Sequence, residues 1–262
     1  MSVSLQAYLE NLEEETYELM VGTGDSNALS YGFTKKRAVH PGVSGQMIPP
    51  PMAPQKWVEL MGQEPDMSKK RMVYIHIPFC SHICLYCGFF QNFINEDREQ
   101  RYVARLLKEL EMAKEDKMLQ AKPMQCVFFG GGTPSALSPA NIAKVLQKLK
   151  ECIPLTNDCE ITMEARIYDL QKERIEAWFA NGVNRVSIGV QSFDTKIRQA
   201  SGRLDTKETV MERLKLISSY DQASIIVDII FGLPGQTLDS FMEDLACIDS
   251  LPISASRPKS KL

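Results

Sequence analysis

From residue 71 onward, apolar positions follow two alternating rhythms. Short runs of β-branched and aromatic residues alternate with polar ones, the mark of a strand. Longer stretches between them repeat apolar residues three and four apart, the mark of a helix packed on one face. The pattern predicts strand 72–77, helix 97–117, strand 125–129, helix 139–151, strand 159–164, helix 172–181, strand 184–189, helix 206–219, strand 224–230 and helix 237–249. Five βα units in succession predict an α/β fold, with a parallel sheet and external helices, either open or closed as a barrel.

The flanks differ. Leu5, Leu9, Leu12 and Tyr17 predict an amphipathic helix over 5–21. Residues 22–45 are polar and irregular, and Met47 to Pro54 carries four prolines, which favour extended or turn structure. Gln55 to Gly62, with Trp57 and Leu60, predicts one short helix. Residues 1–70 therefore read as an N-terminal arm or cap, 71–250 as the core and 251–262 as an irregular tail, since Ser254 to Leu262 is polar and basic.

Composition narrows the class. At 44% hydrophobic residues the chain can bury a sizeable core, and a net charge of −3 gives no electrostatic reason to expect nucleic acid. No apolar run approaches the roughly 20 residues needed to cross a bilayer, so no membrane is expected. Seven cysteines behind an acidic, non-signal N-terminus imply a reducing, cytoplasmic setting in which thiols bind metals rather than pair.

The chemistry gathers after the strands, where parallel α/β folds place their ligands. Residues 73–89 read VYIHIPFCSHICLYCGF, a strand broken at Pro78 that releases Cys80, Cys84 and Cys87 in a C-x3-C-x2-C spacing. Three thiolates on one loop suit an iron–sulfur cube with one iron left without a protein ligand. A zinc site with His76 or His82 as fourth ligand is the alternative. The second strand is followed by Gly130, Gly131, Gly132, Thr133 and Pro134, where glycines allow close approach to a ligand and offer free N–H donors. The third strand ends in Glu164, the fourth runs into Gln191, and the fifth embeds Asp228 among Ile and Val. Each is weak alone, since a glycine triplet is commonly a turn and an acid a helix cap. Cys126, Cys152, Cys159 and Cys247 read as small core residues.

Together, the cysteine spacing and the segments YIHIPFC, FFGGGTPS, GVNRVSIGVQSF and DIIFGLPGQT resemble the radical S-adenosylmethionine (SAM) superfamily, in its oxygen-independent coproporphyrinogen oxidase-like branch. The resemblance runs from Tyr74 to Leu245. It implies a partial, incomplete TIM-like β/α barrel. It implies a 4Fe–4S cluster on Cys80, Cys84 and Cys87, and SAM held by Gly131, Gly132, Thr133, Glu164, Gln191, Arg203 and Asp228, with Tyr74, Ile230 and Phe231 lining the same region. Coproporphyrinogen enzymes of the branch carry a further cysteine where this chain has Phe89, and its haem chaperones read CDF where this chain reads CGF. CGFFQN and KKRAVHPGVSGQMIPP look most like the haem-utilisation (HutW/ChuW-type) enzymes, the anaerobilin synthases, radical SAM methyltransferases that open the haem ring. The implied partners are haem or another tetrapyrrole and a reductant such as flavodoxin or ferredoxin. Against the longer members of the branch, the sequence reads as C-terminally truncated, without a sixth barrel strand or the C-terminal substrate domain.

Overall fold

The computed structural model describes residues 11, 13, 14, 48–90 and 92–260. But for three isolated positions, the helix expected over 5–21 and the irregular stretch 22–45 fall outside them. The chain divides into two compact units, Met1–Lys56 and Trp57–Leu262. Residues 57–70, read from the sequence as arm, thus group with the core. A 3-10 turn at Pro50–Met52 leads into α1 (Ala53–Met61), the short helix expected near 55–62.

In the second unit the elements run β1 (Met72–Ile77), β2 (Phe79–Cys80), β3 (Asn92–Phe93), α2 (Glu96–Met112), α3 (Lys117–Gln120), β4 (Met124–Gly131), α4 (Pro139–Cys152), β5 (Leu155–Arg166), α5 (Lys172–Ala180), β6 (Arg185–Gln191), α6 (Thr195–Ala200), α7 (Lys207–Ser218), β7 (Ser224–Phe231), α8 (Leu238–Asp249) and β8 (Ala255–Ser260). The main sheet is all parallel, in the order β1-β4-β5-β6-β7-β8. The five βα units expected are present, arranged as a partial β/α barrel.

One expectation fails. The stretch read as an irregular tail forms β8, a sixth strand in register with β7 from Ile226↔Ala255 to Phe231↔Ser260. An edge strand needs main-chain bonds on one side only, and Lys and Pro are ordinary there. It therefore carries no hydrophobic alternation for a sequence pattern to detect.

The strands have two chemically different faces because side chains alternate along them. Outward, Ile75 and Ile77 of β1, Ile161 and Met163 of β5, Val186, Ile188 and Val190 of β6, and Ile225, Val227 and Ile229 of β7 join one core with residues of the helices. Trp178 of α5 and Leu146 of α4 are completely buried there. Each large side chain so buried contributes about 1.5–3 kcal/mol. Inward lie Tyr74 and His76, then Glu160, Thr162, Glu164 and Arg166, then Arg185, Ser187, Gly189 and Gln191, then Asp228 and Ile230.

Helix starts are locally encoded. Asn95 accepts from Arg98 N at 2.9 Å to cap α2, and Asp194 accepts from Lys196 N and Ile197 N to cap α6. Buried Glu99 of α2 accepts from Ser138 N at 2.7 Å and Asn141 Nδ2 at 2.8 Å, so it supplies an anion at the start of α4.

Candidate functional site

Cys80 closes β2 and is buried, while Cys84 and Cys87 are half-buried. The loop that carries them is pinned at several points. Ile94 N donates to Cys80 O at 3.1 Å, Leu85 N to Ser201 O at 3.2 Å, and Arg166 Nη1 to His82 O at 2.8 Å. Burial pushes the Cys80 thiol up, against a hydrogen bond from Thr133 and the nearby charge of Arg166.

The glycines after β4 act differently from the expectation of free N–H donors. Gly132 N donates to Ile77 O at 2.8 Å and Thr133 N to Phe79 O at 2.7 Å. A Cβ on Gly132 would stand 2.6 Å from Phe79 O, and Gly131 has φ +115°. These glycines let the end of β4 press against the β1–β2 backbone, which fixes the root of the cysteine loop.

The opposite wall is built at the end of β6. Gln191 sits at φ +75°, in the left-handed region, at a register shift between Gly189 and Gln191. A non-glycine residue there is strained by about 1–3 kcal/mol and persists only where its surroundings hold it. Arg198 of α6 does so: its Nη1 donates to Val190 O at 2.7 Å and Ser192 O at 3.0 Å, one carbonyl on each side of Gln191. Its Nε donates to Asp205 O at 2.7 Å and its Nη2 reaches Asp205 Oδ2 at 3.2 Å. Burial draws the Arg198 guanidinium down to about 10. From the other side, buried Asp244 accepts from Phe193 N at 2.6 Å and Ser192 Oγ at 3.2 Å. The consequence is that Gln191 Oε1 is buried with no hydrogen-bond partner among the described residues. Such a group costs about 1–3 kcal/mol unless something donates to it.

Arg203, 5% exposed, donates through Nη1 to Gly189 O at 2.6 Å and through Nε to Tyr86 Oη at 2.9 Å. Burial pushes the Tyr86 phenol up to about 12. Asp228 is buried and accepts from Ser187 Oγ at 3.3 Å.

These groups face one cavity of about 400 Å³. Of the sequence-predicted residues, Cys80, Cys84, Cys87, Gly131, Gly132, Thr133, Glu164, Gln191, Arg203, Asp228 and Ile230 line it. Tyr74 and Phe231 are not among its lining residues. Tyr74 is half exposed, stacked on Phe128 and 3.2 Å from His76 Nδ1, and Phe231 packs edge-on against Phe241. The cavity adds residues to which the sequence reading gave no part in holding the cluster or SAM: His82, Tyr86, Arg166, Ser187 and Gly189. Three of them were detectable, because Arg166 lies two positions after Glu164, and Ser187 and Gly189 alternate with Gln191 on one strand face.

The donor geometry bears on the two metal readings. One zinc ion with Zn–S near 2.3 Å would hold its sulfurs about 3.8 Å apart. Among the described residues, the only metal-capable side chains whose ligand atoms gather within 4.8 Å are Glu111, Glu151 and Cys152, away from this cavity. The three cysteines, with or without His76 or His82, are spread more widely than a single ion needs. The Glu111 and Glu151 carboxylates are already paired with Lys114 and Lys148.

Residues 74–248 match the family described as the radical SAM superfamily. The chain is 41% identical over 214 residues to an anaerobilin synthase of Escherichia coli O157:H7, covering 82% of this chain and 48% of that protein. It is 32% identical over 179 residues to the heme chaperone HemW of Lactococcus lactis, covering 68% of this chain and 46% of that one. It is 34% identical over 175 residues to the oxygen-independent coproporphyrinogen III oxidase of Helicobacter pylori J99, covering 66% and 38%. The solved structure of coproporphyrinogen III oxidase (HemN) from Escherichia coli superposes with a TM-score of 0.71 at 25% identity, over 79% of this chain and 47% of that one. The chain spans about half the length of the curated relatives it matches. Among the described residues, no helix is long and apolar enough to cross a membrane.

Proposed function

The chain belongs to the radical SAM superfamily, and from that premise we propose that its cavity holds a 4Fe–4S cluster and SAM and serves chemistry on haem or a related tetrapyrrole. The observation that carries the reading is the convergence of Cys80, Cys84 and Cys87 with Glu164, Gln191, Arg203 and Asp228 on one cavity, although they come from loops and strands far apart in sequence.

The residues fit both groups. Three thiolates on one loop suit a cube, and leave one iron for a non-protein ligand. Gln191 Oε1 is a buried acceptor with no partner among the described residues, and the zwitterionic SAM offers donors. Arg203 is suited to the SAM carboxylate, because its fork is already aimed by Tyr86 and Gly189. Glu164 is suited to the ammonium group and Asp228 to the ribose hydroxyls. Ile230 covers an apolar edge of the cavity. Tyr74 stands near Glu164 on the inner face, and Phe231 closes the strand end, so both belong to the surroundings of this site rather than its lining. When the cluster is bound and reduced, it supplies the electron that splits SAM into methionine and a 5′-deoxyadenosyl radical. The protein positions the reactants and keeps water from them.

Haem ring opening with methyl transfer, as in the anaerobilin synthases, is the preferred overall reaction. Phe89, in the place where the coproporphyrinogen enzymes carry cysteine, favours it over coproporphyrinogen dehydrogenation. The haem-chaperone reading keeps the same cluster site without turnover. Flavodoxin or ferredoxin is the proposed electron donor.

Anaerobic reconstitution with iron and sulfide tests the site. About four irons per chain, lost in Cys84→Ala, and 5′-deoxyadenosine on adding SAM and reductant are expected. One zinc per chain with no visible absorption would end the reading. Haem added to the reconstituted chain then separates enzyme from chaperone: an opened, methylated product marks the first, and binding without product the second.

A further inference from the structure

Resting on the cofactor reading above, we propose that Thr133 is a positioning residue for the cluster: its hydroxyl donates to the Cys80 sulfur, beside a main-chain N–H that donates to the Cys87 sulfur, and these donors raise the cluster's reduction potential.

Thr133 Oγ1 lies 3.2 Å from Cys80 Sγ in a buried contact. The residue is 3% exposed, and its own N–H is committed to Phe79 O at 2.7 Å, so the hydroxyl is carried on a fixed backbone. The Cys87 sulfur accepts from Phe89 N at 3.3 Å. Two sulfurs thus meet two different kinds of donor, a side-chain hydroxyl and a main-chain N–H.

Reduction of a cluster adds negative charge that spreads onto its thiolate sulfurs. A donor aimed at sulfur stabilises the reduced form more than the oxidised one, and the potential rises. The resemblance places Thr133 among the residues that hold SAM; its hydroxyl also reaches Cys80, so the residue faces both groups of the cavity.

Thr133→Val keeps the shape and deletes the hydroxyl, and Thr133→Ser keeps the hydroxyl. The full chain and each variant are reconstituted anaerobically, and the cluster potential is read by electron paramagnetic resonance during a redox titration, with SAM affinity measured alongside. The expected result is a more negative potential for T133V and for Thr133→Ala, and a potential restored by T133S. T133A, which removes the hydroxyl without adding bulk, carries the test should T133V not assemble. Equal potentials in wild type and variants, or T133V and T133S shifting alike, overturn the inference. So does a T133V chain that loses SAM affinity at unchanged potential. A wild-type chain that takes up no cluster defeats the cofactor reading itself, whereas a wild-type cluster indifferent to these variants defeats only the role of the donors.

Discussion

Arg203 Nε donates to the Tyr86 hydroxyl oxygen at 2.9 Å, joining residues 117 apart in sequence. The same guanidinium donates to Gly189 O at 2.6 Å. The cysteine loop and the end of β6 are thereby held by one planar group with little freedom. A lysine has no fork to span both acceptors. Arg203→Lys is expected to weaken SAM binding by at least about tenfold, roughly 1.4 kcal/mol. Equilibrium dialysis on the reconstituted chain measures it, and an unchanged dissociation constant would remove Arg203 from the binding site.

Arg198 holds the carbonyls on either side of strained Gln191. Removing it leaves Asp205 and two carbonyls without their buried donor. Arg198→Ala is expected to cost about 3–5 kcal/mol in urea unfolding. A loss under about 1 kcal/mol would mean that the loop keeps its shape without the clamp.

Gly132 and Gly88 make a matched pair. A Cβ on Gly132 would meet the Phe79 backbone at 2.6 Å, while one on Gly88 meets nothing within 4 Å. Gly132→Ala is expected to destabilise by about 1–3 kcal/mol through backbone displacement. Gly88→Ala should stay within about 0.5 kcal/mol of wild type. Equal effects in thermal melts would contradict the packing role given to the glycines after β4.

Glu111 hydrogen-bonds Lys148 and Lys114, and these bonds hold its carboxyl down to about 2. The unfolded carboxyl titrates at its ordinary value of 4.5. The folded state keeps Glu111 ionised where the unfolded state protonates it. Its contribution is therefore present above pH 4.5 and lost as pH falls toward 2. Melting curves across that window should be less acid-sensitive in Glu111→Gln, and added salt should narrow the difference. Identical acid dependence in the two proteins would assign the transition to other carboxylates.

The βα rhythm was legible because outward-facing strand and helix positions bury apolar side chains, and burial imposes periodicity. The cysteines, Glu164 and Asp228 stood out because a polar residue at the end of an apolar strand has few structural uses. Arg166 and Ser187 were legible in principle, since each shares a strand face with a residue already suspected, yet nothing about an isolated Arg or Ser marks it. β8 left no trace, because an edge strand is held by main-chain hydrogen bonds that any sequence can make.

By itself the sequence determined the order of elements, the side of the sheet that carries chemistry, and the family to which the motifs belong. All three follow from local patterns: burial period, breaks at Pro and Gly, and cysteine spacing. Only the tertiary structure decided what those residues do to one another. It pressed Gly132 against the Phe79 backbone, left Gln191 Oε1 without a donor among the described residues, and set Thr133 against Cys80. Hydrogen bonds of this kind join atoms about 3 Å apart whose residues lie tens of positions apart in the chain, and no periodicity along the sequence encodes that distance.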